Sequence, residues 1–360
     1  MLIAFRVDAS VEIGTGHVMR CLTLADGLVS AGAYVCFLSR HMPIYMQEFI
    51  ASKGFEFNLL TTQNSDAQTD NLEHASWLGV SQQEDAISSI DIMREMKVDW
   101  LIVDHYALDF KWESLLRKHT RKLMVIDDLA DRVHDCDMLL DQNYYSSMNS
   151  RYKKKIPPNC NLLLGPRYTL LRHEFERAQA DIKPKGENVK RVLVFFGGID
   201  AQNYTGQAIL ALNQLAHIQL DVDVVIGSQH PNRCQIIKDC DISGYSCHVQ
   251  TSNISKLMAD ADLAIGACGF ACYEFASMKL PAILIPLTHI QATVAKELLK
   301  LNLASVLFLD GEDSVKKMRD ELIRLMDSTI LRKSISAACS SFLDTNGVAR
   351  VVNKIYEFGS

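Results

Sequence analysis

The fold is decided by the first stretch of the chain, Met1-Leu-Ile-Ala-Phe-Arg-Val-Asp-Ala-Ser-Val-Glu-Ile-Gly-Thr-Gly-His-Val-Met-Arg-Cys-Leu22. Its apolar run at 2–7 predicts a buried strand that ends near Asp8. A loop with two glycines follows, and a helix is expected to start near His17, because apolar residues then recur about every 3.6 positions. The apolar residues on this helix face are Val18, Cys21, Leu22, Ala25, Leu28 and Val29. Strand, glycine turn and helix in this order predict the start of a parallel α/β sheet.

Short apolar runs alternate with amphipathic stretches along the whole chain, which is typical of parallel sheets with crossover helices. The predicted strands of the first half are 2–7, 33–38, 100–103, 123–126, 138–140 and 162–164. Those of the second half are 192–196, 222–226, 247–250, 263–265, 282–286 and 305–309. Helices are expected between the strands and in three C-terminal stretches, 313–327, 329–343 and 346–357.

The chain is long enough for two domains. Its 360 residues exceed the size at which a single hydrophobic core stops growing. The polar stretch 177–191, with Pro184 and Gly186, predicts a linker. We therefore expect two Rossmann-like α/β lobes, 1–176 and 192–345, and a C-terminal helix at 346–360 that packs back on the first lobe. Ligands of open α/β sheets bind at the carboxyl ends of the strands, so a cleft between the lobes is the expected site.

Composition argues against several classes of partner. The chain is 48% apolar and 22% charged, with a formal charge of −6 and no long run of like charges, so no nucleic-acid partner is expected. No apolar stretch approaches the ~20 residues of a membrane span, so no membrane partner is expected. The N-terminus lacks the pattern of a secretory signal, which favours a cytoplasmic protein whose ten cysteines are reduced. A monomer is favoured, although the oligomeric state is not determined by these features.

The first loop contains a candidate general base. Gly14 and Gly16 let the backbone approach a ligand closely, but they do not form a dinucleotide fingerprint, since Met19 occupies the place of its third glycine. A phosphate-binding Walker loop is excluded because its Gly-Lys-Ser/Thr ending is missing. His17 follows the glycines at the expected helix N-terminus, where the helix dipole favours a neutral imidazole that can accept a proton. The alternative is a histidine that only hydrogen-bonds the loop.

A second glycine turn lies in the other half, within Ala261-Asp-Leu-Ala-Ile-Gly-Ala-Cys-Gly-Phe-Ala-Cys-Tyr-Glu274. The predicted helix start near Gly269 offers free N–H groups and a dipole to a diphosphate. Glu274, about one turn later, is placed to accept hydrogen bonds from two vicinal hydroxyls, as a ribose requires. Alternatively, it is an acid that only favours the dipole. Gly198 and Gly227 follow earlier strands and are expected at the same rim.

These two segments together resemble the nucleotide-sugar enzymes of the two-lobed GT-B architecture, which include the peptidoglycan N-acetylglucosaminyltransferase. The spacing from Glu274 to Pro281 matches that group's Glu–x6–Pro segment. The opening stretch, from Phe5 to Arg20, is more similar to the UDP-sugar hydrolases of pseudaminic acid biosynthesis. Further matches are Val103-Asp-His-Tyr106, Ile126-Asp-Asp-Leu129, Leu164-Gly-Pro-Arg-Tyr168, Leu171-Arg172 and Phe195-Phe-Gly-Gly198.

This resemblance implies a GT-B arrangement and the hydrolysis of UDP-2,4-diacetamido-2,4,6-trideoxy-β-L-altropyranose. Water would attack the anomeric carbon with inversion and release 2,4-diacetamido-2,4,6-trideoxy-L-altrose and UDP. His17 matches the family's general base. The positions implied to line the sugar pocket are Gly14, Gly16, Arg20 and Tyr106. Those implied to bind UDP are Gly198, Gly227, Gly266, Ala267, Gly269, Phe270, Ala271, Glu274 and Gln291.

The chain departs from the family at Ile290, where relatives often have an asparagine before the glutamine that Gln291 matches, and less notably at Cys268. No cofactor and no metal are expected. The residues that could serve as metal ligands are explained equally well as members of acidic turns and helix caps. Those are Asp127, Asp128, Asp131, His134, Asp135 and Asp137. Three other functions share these features: a GT-B glycosyltransferase with a UDP-sugar donor, a hydrolysing 2-epimerase, and a non-catalytic nucleotide-sugar-binding module.

Overall fold

The computed structural model describes residues 1–60, 71–180, 182, 185–309, 311 and 313–359. The chain divides into two compact units, one formed by Met1–Leu170 with Asn346–Ser360 and the other by Leu171–Thr345. The division falls before the stretch 177–191, where the sequence predicts a linker. The first helix of the second unit, His173–Gln179, extends into that stretch. Pro184, part of the predicted linker, lies outside the described residues.

The first unit contains a parallel sheet. Its strands are β1 (Leu2–Val7), β2 (Tyr34–Ser39), β3 (Glu56–Leu59), β4 (Val98–Asp104), β5 (Thr120–Ile126), β6 (Met138–Asp141) and β7 (Asn161–Leu164). Its α-helices are α1 (Gly16–Ser30), α2 (Ile44–Ser52), α3 (Gln82–Met93), α4 (Phe110–Leu116), α5 (Met148–Arg151) and, from the end of the chain, α14 (Gly347–Gly359). Short 3-10 helices lie at Ala75–Trp77, Arg117–His119 and Pro166–Tyr168.

The order of the seven strands is β3-β2-β1-β4-β5-β6-β7. The chain therefore runs outward from β1 to β3 and then crosses back to β4 on the other side of β1. This reversal makes the junction of β1 and β4 the switch point where α/β sheets open a crevice for ligands. Strand β3 was missed by the sequence pattern because it is a short edge strand of alternating polar and apolar residues, with both ends exposed.

The second unit contains another parallel sheet. Its strands are β8 (Arg191–Phe195), β9 (Asp221–Ile226), β10 (Ser246–Val249), β11 (Leu263–Ala267), β12 (Ala282–Ile285) and β13 (Ser305–Val306), in the order β10-β9-β8-β11-β12-β13. Its helices are α6 (His173–Gln179), α7 (Tyr204–Asn213), α8 (Arg233–Ser243), α9 (Ile254–Asp260), α10 (Ala271–Ser277), α11 (His289–Lys300), α12 (Ser314–Asp327) and α13 (Thr329–Phe342). The predicted class, two α/β units with parallel sheets, is confirmed. The predicted last strand is shorter than expected, since β13 ends at Val306.

Helix α14 belongs to the first unit and packs against α1. A Cβ added at Gly27 of α1 would lie 2.5 Å from Cγ1 of Val348 in α14, so the two helices are in close contact. The Tyr356 hydroxyl also donates a hydrogen bond of 2.8 Å to the carbonyl of Ala31. None of the helices in the described ranges has the length and apolar character needed to cross a bilayer.

Gly266 is required by the packing of β8 against β11. A Cβ at this position would lie 2.1 Å from the carbonyl oxygen of Phe195 and 3.1 Å from the Phe275 ring. We expect Gly266→Ala to lower the free energy of unfolding by about 1–3 kcal/mol, because the strand backbone must move to admit the methyl group. Urea unfolding measures this. Gly198→Ala is the control, since its Cβ would have no neighbour within 4 Å, and an equal loss in both variants would contradict the argument.

His134 makes the stability of the first unit depend on pH. Its buried Nδ1 lies 2.7 Å from Glu113 Oε1, and its Nε2 lies 3.8 Å from Asp127 Oδ2. Burial alone would lower the pKa of His134, but Glu113 and Asp127 outweigh it and raise the pKa to about 9. Because this value lies above the ordinary ~6.5, the stabilisation is complete below about pH 6.5 and is lost as the pH rises through about 9.

The expected loss between these pH values is on the order of 3 kcal/mol in the wild type. The measurement is the free energy of unfolding from pH 6 to 10 for the wild type, His134→Gln and the exposed control His217→Gln. The His134→Gln curve should be flatter than the other two. Parallel curves for all three proteins would show that His134 does not titrate in this range.

Candidate functional site

A row of carboxylates lies at the carboxyl edge of the first sheet. Asp8 follows β1, Asp104 ends β4, Asp128 lies just after β5, and Asp141 ends β6. These strands are neighbours in the sheet, so their ends meet at one edge. The first turn of α1, which carries His17, begins after the loop that follows β1. The sequence therefore brings a histidine to the switch point of an acidic sheet edge.

His17 forms a histidine–carboxylate pair with Asp104. Nδ1 of His17 lies 2.6 Å from Oδ1 of Asp104, whose side chain is fully buried. Burial alone would raise the pKa of Asp104, but Arg20 and His17 outweigh it and hold the pKa well below its usual range. The carboxylate is therefore ionised and only accepts hydrogen bonds, which places the hydrogen of a neutral His17 ring on Nδ1. Within the described residues Nε2 has no hydrogen-bond partner, so its lone pair is available to take a proton.

The guanidinium group of Arg20 donates its hydrogen bonds to two carboxylates. Its Nε and Nη2 donate to the two oxygens of Asp104 at 2.6 and 2.7 Å, and Nη1 donates to Asp128 at 3.0 Å. The residue is only 7% exposed. That Arg20 lines the sugar pocket stays a prediction, and its contacts fix the orientation of Asp104 and, through it, of His17.

Tyr106 lies beside the histidine. Its ring meets the His17 ring edge-on, at 4.6 Å between centroids and an angle of 84°. The phenol donates a hydrogen bond to Asp128, and burial together with the Asp128 charge raises the pKa of Tyr106 well above its usual value. Tyr106 therefore remains a protonated donor. The side chain is only 8% exposed, so most of its surface is covered by protein.

Glycine is suited to positions 14 and 16 of the first loop for two different physical reasons. Gly14 has φ of +77° and donates its N–H to the Ser10 carbonyl at 2.9 Å, a tight turn that favours glycine. A Cβ at Gly16 would meet no atom within 4 Å. The surface above the start of α1 is consequently open, as required if a ligand is to approach His17.

The sequence missed the roles of Asp104 and Asp128. Asp104 lies in the Asp-His-Tyr stretch that follows a predicted strand, and this position was the signal that could have found it. Asp128 was considered only as a metal ligand, but it accepts hydrogen bonds from Arg20 and Tyr106.

The other residues weighed as metal ligands are held by protein partners. Asp127 pairs with Arg132 at 2.9 Å. Asp135 and Asp137 both pair with Arg117, at 2.9 and 2.7 Å. Asp131 pairs with Arg132 at 2.8 Å and also belongs to a group in which Glu73, His74 and Asp131 bring one potential ligand atom each within 4.8 Å of one another. Glu73 and Asp131 are exposed, and exposed acids commonly form such groups without an ion.

In the second unit, most of the predicted UDP residues lie at or just after the carboxyl ends of β8, β9 and β11, while Gln291 lies in α11, which follows β12. The backbone amides of residues 269–271 make no hydrogen bond within the described part of the chain, so they are available to an anion. The helix that follows, α10, has only seven residues, and its dipole adds less than the sequence pattern implied. The Gln291 Nε2 lies 3.4 Å from the place of a Cβ on Gly269, so these two predicted residues are neighbours.

Gly198 and Gly227 are also brought together, since a Cβ on Gly227 would lie 2.2 Å from the Gly198 carbonyl oxygen. Ala267 ends β11 and is buried, while Phe270 immediately precedes α10 and is half-buried. Ile290 lies in the first turn of α11, next to Gln291.

Glu274 lies in the first turn of α10 and is also ion-paired. Its Oε1 accepts a hydrogen bond of 2.9 Å from Nη2 of Arg172, and Glu274 is only 5% exposed. Arg172 also pairs with Glu174 at 2.7 Å. The sequence placed Arg172 in a family motif without assigning it a role. The pair holds the Glu274 carboxylate in one orientation near the free amides.

Comparison with known proteins agrees with the resemblance inferred from the motifs. Over 267 residues the chain is 26% identical to the UDP-2,4-diacetamido-2,4,6-trideoxy-beta-L-altropyranose hydrolase of Campylobacter jejuni, covering 74% of this chain and 84% of that protein. It is 23% identical over 357 residues to the spore coat polysaccharide biosynthesis protein SpsG of Bacillus subtilis, covering 98% and 96% of the two chains. No protein-family profile matches the chain.

Among solved structures, MurG of Acinetobacter baumannii matches with a TM-score of 0.65 at 13% identity, covering 99% of both chains. A likeness at this identity establishes the fold. The chain is thus similar in sequence to a UDP-sugar hydrolase and has the fold of the GT-B glycosyltransferases.

Proposed function

We propose that the protein hydrolyses UDP-2,4-diacetamido-2,4,6-trideoxy-β-L-altropyranose to 2,4-diacetamido-2,4,6-trideoxy-L-altrose and UDP, a step of pseudaminic acid biosynthesis. The observation that carries the proposal is the His17–Asp104 pair, which fixes one ring nitrogen at 2.6 Å and leaves the other available. Similarity to the Campylobacter jejuni hydrolase supports the choice of substrate.

In the proposed reaction, Nε2 of His17 removes a proton from water while the water oxygen attacks the anomeric carbon. The bond from that carbon to the UDP oxygen breaks, its electron pair leaves with UDP, and the configuration inverts. The ionised Asp104 stabilises the imidazolium that forms, because it faces Nδ1 directly. Positioned base catalysis of this kind contributes about 10²–10⁴ in rate.

The proposed UDP site is in the second unit. The amides of residues 269–271 are suited to the charge that develops on the leaving diphosphate. Glu274 is proposed to accept hydrogen bonds from the ribose hydroxyls, with Arg172 holding its carboxylate. Gln291 is proposed to contact the same nucleotide, because it lies beside Gly269. The chemistry then needs no metal, since UDP leaves readily and His17 supplies the base.

The main alternative is transfer of the sugar to an acceptor alcohol by a GT-B glycosyltransferase. The same histidine–carboxylate pair would then deprotonate a hydroxyl group instead of water. A hydrolysing 2-epimerase would also release UDP but would alter the stereochemistry at C2. A non-catalytic nucleotide-sugar-binding module would bind UDP without turnover.

The first test follows the purified UDP-diacetamido-altrose by proton NMR without any acceptor. We expect UDP and the free sugar to form together, with the α-anomer first because attack inverts the β-linkage, and with C2 unchanged. The rate should persist in EDTA, because the mechanism uses no metal. Release of UDP only after an acceptor is added would establish a transferase instead. Loss of activity in EDTA that Mg²⁺ restores would overturn the metal-free mechanism. It would make Glu73, His74 and Asp131 the first candidate metal ligands to test.

The second test separates catalysis from binding. We expect His17→Ala to lower kcat by about 10²–10⁴ while UDP affinity, measured by calorimetry, remains close to that of the wild type. Asp104→Asn should also lower kcat by about 10² or more, because an amide facing Nδ1 no longer holds the hydrogen on that nitrogen. Asp26→Asn is the control, since it changes an exposed carboxylate of the same helix. Unchanged turnover in His17→Ala would favour a different base.

A further inference from the structure

Tyr106 is covered by two rings that the sequence did not single out. The Trp77 ring stacks on Tyr106 at 5.7 Å between centroids and an angle of 27°. The His74 ring meets Tyr106 at 5.4 Å and Trp77 at 4.5 Å, in both cases edge-on. Tyr106 is 8% exposed, whereas Trp77 and His74 are both half-buried. The accessible surface of this aromatic cluster therefore belongs mainly to Trp77 and His74.

We propose that Trp77 and His74 form the sugar-contacting wall of the His17 site and that Trp77 contacts the apolar groups of an N-acetylated 6-deoxy sugar. This inference rests on the proposed function. Aromatic rings bind the C–H faces of sugars, and Trp offers the largest such surface with a polar N–H at its edge. The methyl groups of a 6-deoxy sugar and of its acetamido substituents are apolar and match that surface.

Polar groups lie beside the wall. Glu73 and Asp131 each bring an oxygen within 4.8 Å of a His74 ring nitrogen, and both residues are exposed. Carboxylates accept hydrogen bonds from amide N–H and hydroxyl groups, both of which a diacetamido sugar presents. An apolar ring with acceptors at its margin is the combination that such a sugar requires.

Trp77 also differs from the other tryptophans of the chain. Of the three, Trp100 and Trp112 are 0% exposed and belong to the core, while Trp77 is half-buried. This difference in exposure makes the fluorescence of Trp77 separable from that of the other two.

The binding test measures quenching of tryptophan fluorescence by acrylamide. The His17→Ala variant is used, so that the nucleotide sugar binds without being consumed. We expect the UDP-sugar to reduce quenching at least twofold and UDP alone to leave it nearly unchanged, because only the sugar covers Trp77. In the His17→Ala, Trp77→Phe double variant this protection should vanish. Equal quenching with UDP-sugar and UDP, at concentrations where calorimetry shows both bound, would overturn the inference.

The kinetic test compares Trp77→Ala and Trp77→Phe with the wild type. We expect Trp77→Ala to raise KM about tenfold with kcat nearly constant and inhibition by UDP unchanged, and Trp77→Phe to recover most of the loss. The control Tyr45→Ala removes an exposed aromatic side chain elsewhere in the first unit. Wild-type KM in Trp77→Ala would refute the role of Trp77 while leaving the hydrolase proposal intact. An inactive wild type would refute the hydrolase proposal, and the fluorescence arm would still report whether the sugar covers Trp77.

Discussion

The carboxylate of Asp104 is the group on which the site depends. It receives hydrogen bonds from His17 Nδ1 and from Nε and Nη2 of Arg20, all between 2.6 and 2.7 Å. The carboxylate is fully buried, so each of these bonds replaces hydration that the charge has lost. Because β1 and β4 are adjacent, the end of β4 lies next to the helix that follows β1. One buried charge thus joins two elements that are far apart in sequence.

A second layer of charges supports the same edge of the sheet. Arg20 connects Asp104 to Asp128, which in turn accepts the Tyr106 hydroxyl. Beneath the first loop, Arg6 is completely buried and pairs with both Asp8 and Asp85. Buried ions that find all their partners hold one geometry, whereas loss of one partner leaves an uncompensated charge that costs several kcal/mol. The edge is therefore rigid around His17 while the surface above Gly16 stays open.

Much of the fold could be predicted because it depends on local patterns. Apolar runs separated by amphipathic stretches predicted nearly all the strands. Strand β3 was not predicted, because an edge strand needs few buried residues. His17 could be found because its place after a glycine turn is a local signal. Asp104 follows a predicted strand, so its place at the sheet edge could be predicted, but its contact with His17 depends on which strands pair in the sheet. For the same reason, the sequence could not show that Arg20, which was predicted to line the sugar pocket, also pairs with Asp104 and Asp128.

Trp77 shows more clearly which contacts sequence patterns cannot predict. It lies in a short 3-10 helix with no apolar periodicity, and its contact with Tyr106 joins segments that no pattern relates. In the second unit, Arg172 and Glu274 are about a hundred residues apart, and only the folded chain shows that they pair.

The packing of α14 on α1 has a consequence for synthesis on the ribosome. The second unit is continuous, from Leu171 to Thr345, but the first unit needs residues from both ends of the chain. While the nascent polypeptide grows, the face of α1 around Gly27 has no partner until Val348 and its neighbours have emerged. This face of the helix that carries His17 is therefore covered only at the end of synthesis, and a chain released early would expose it to chaperones and proteases.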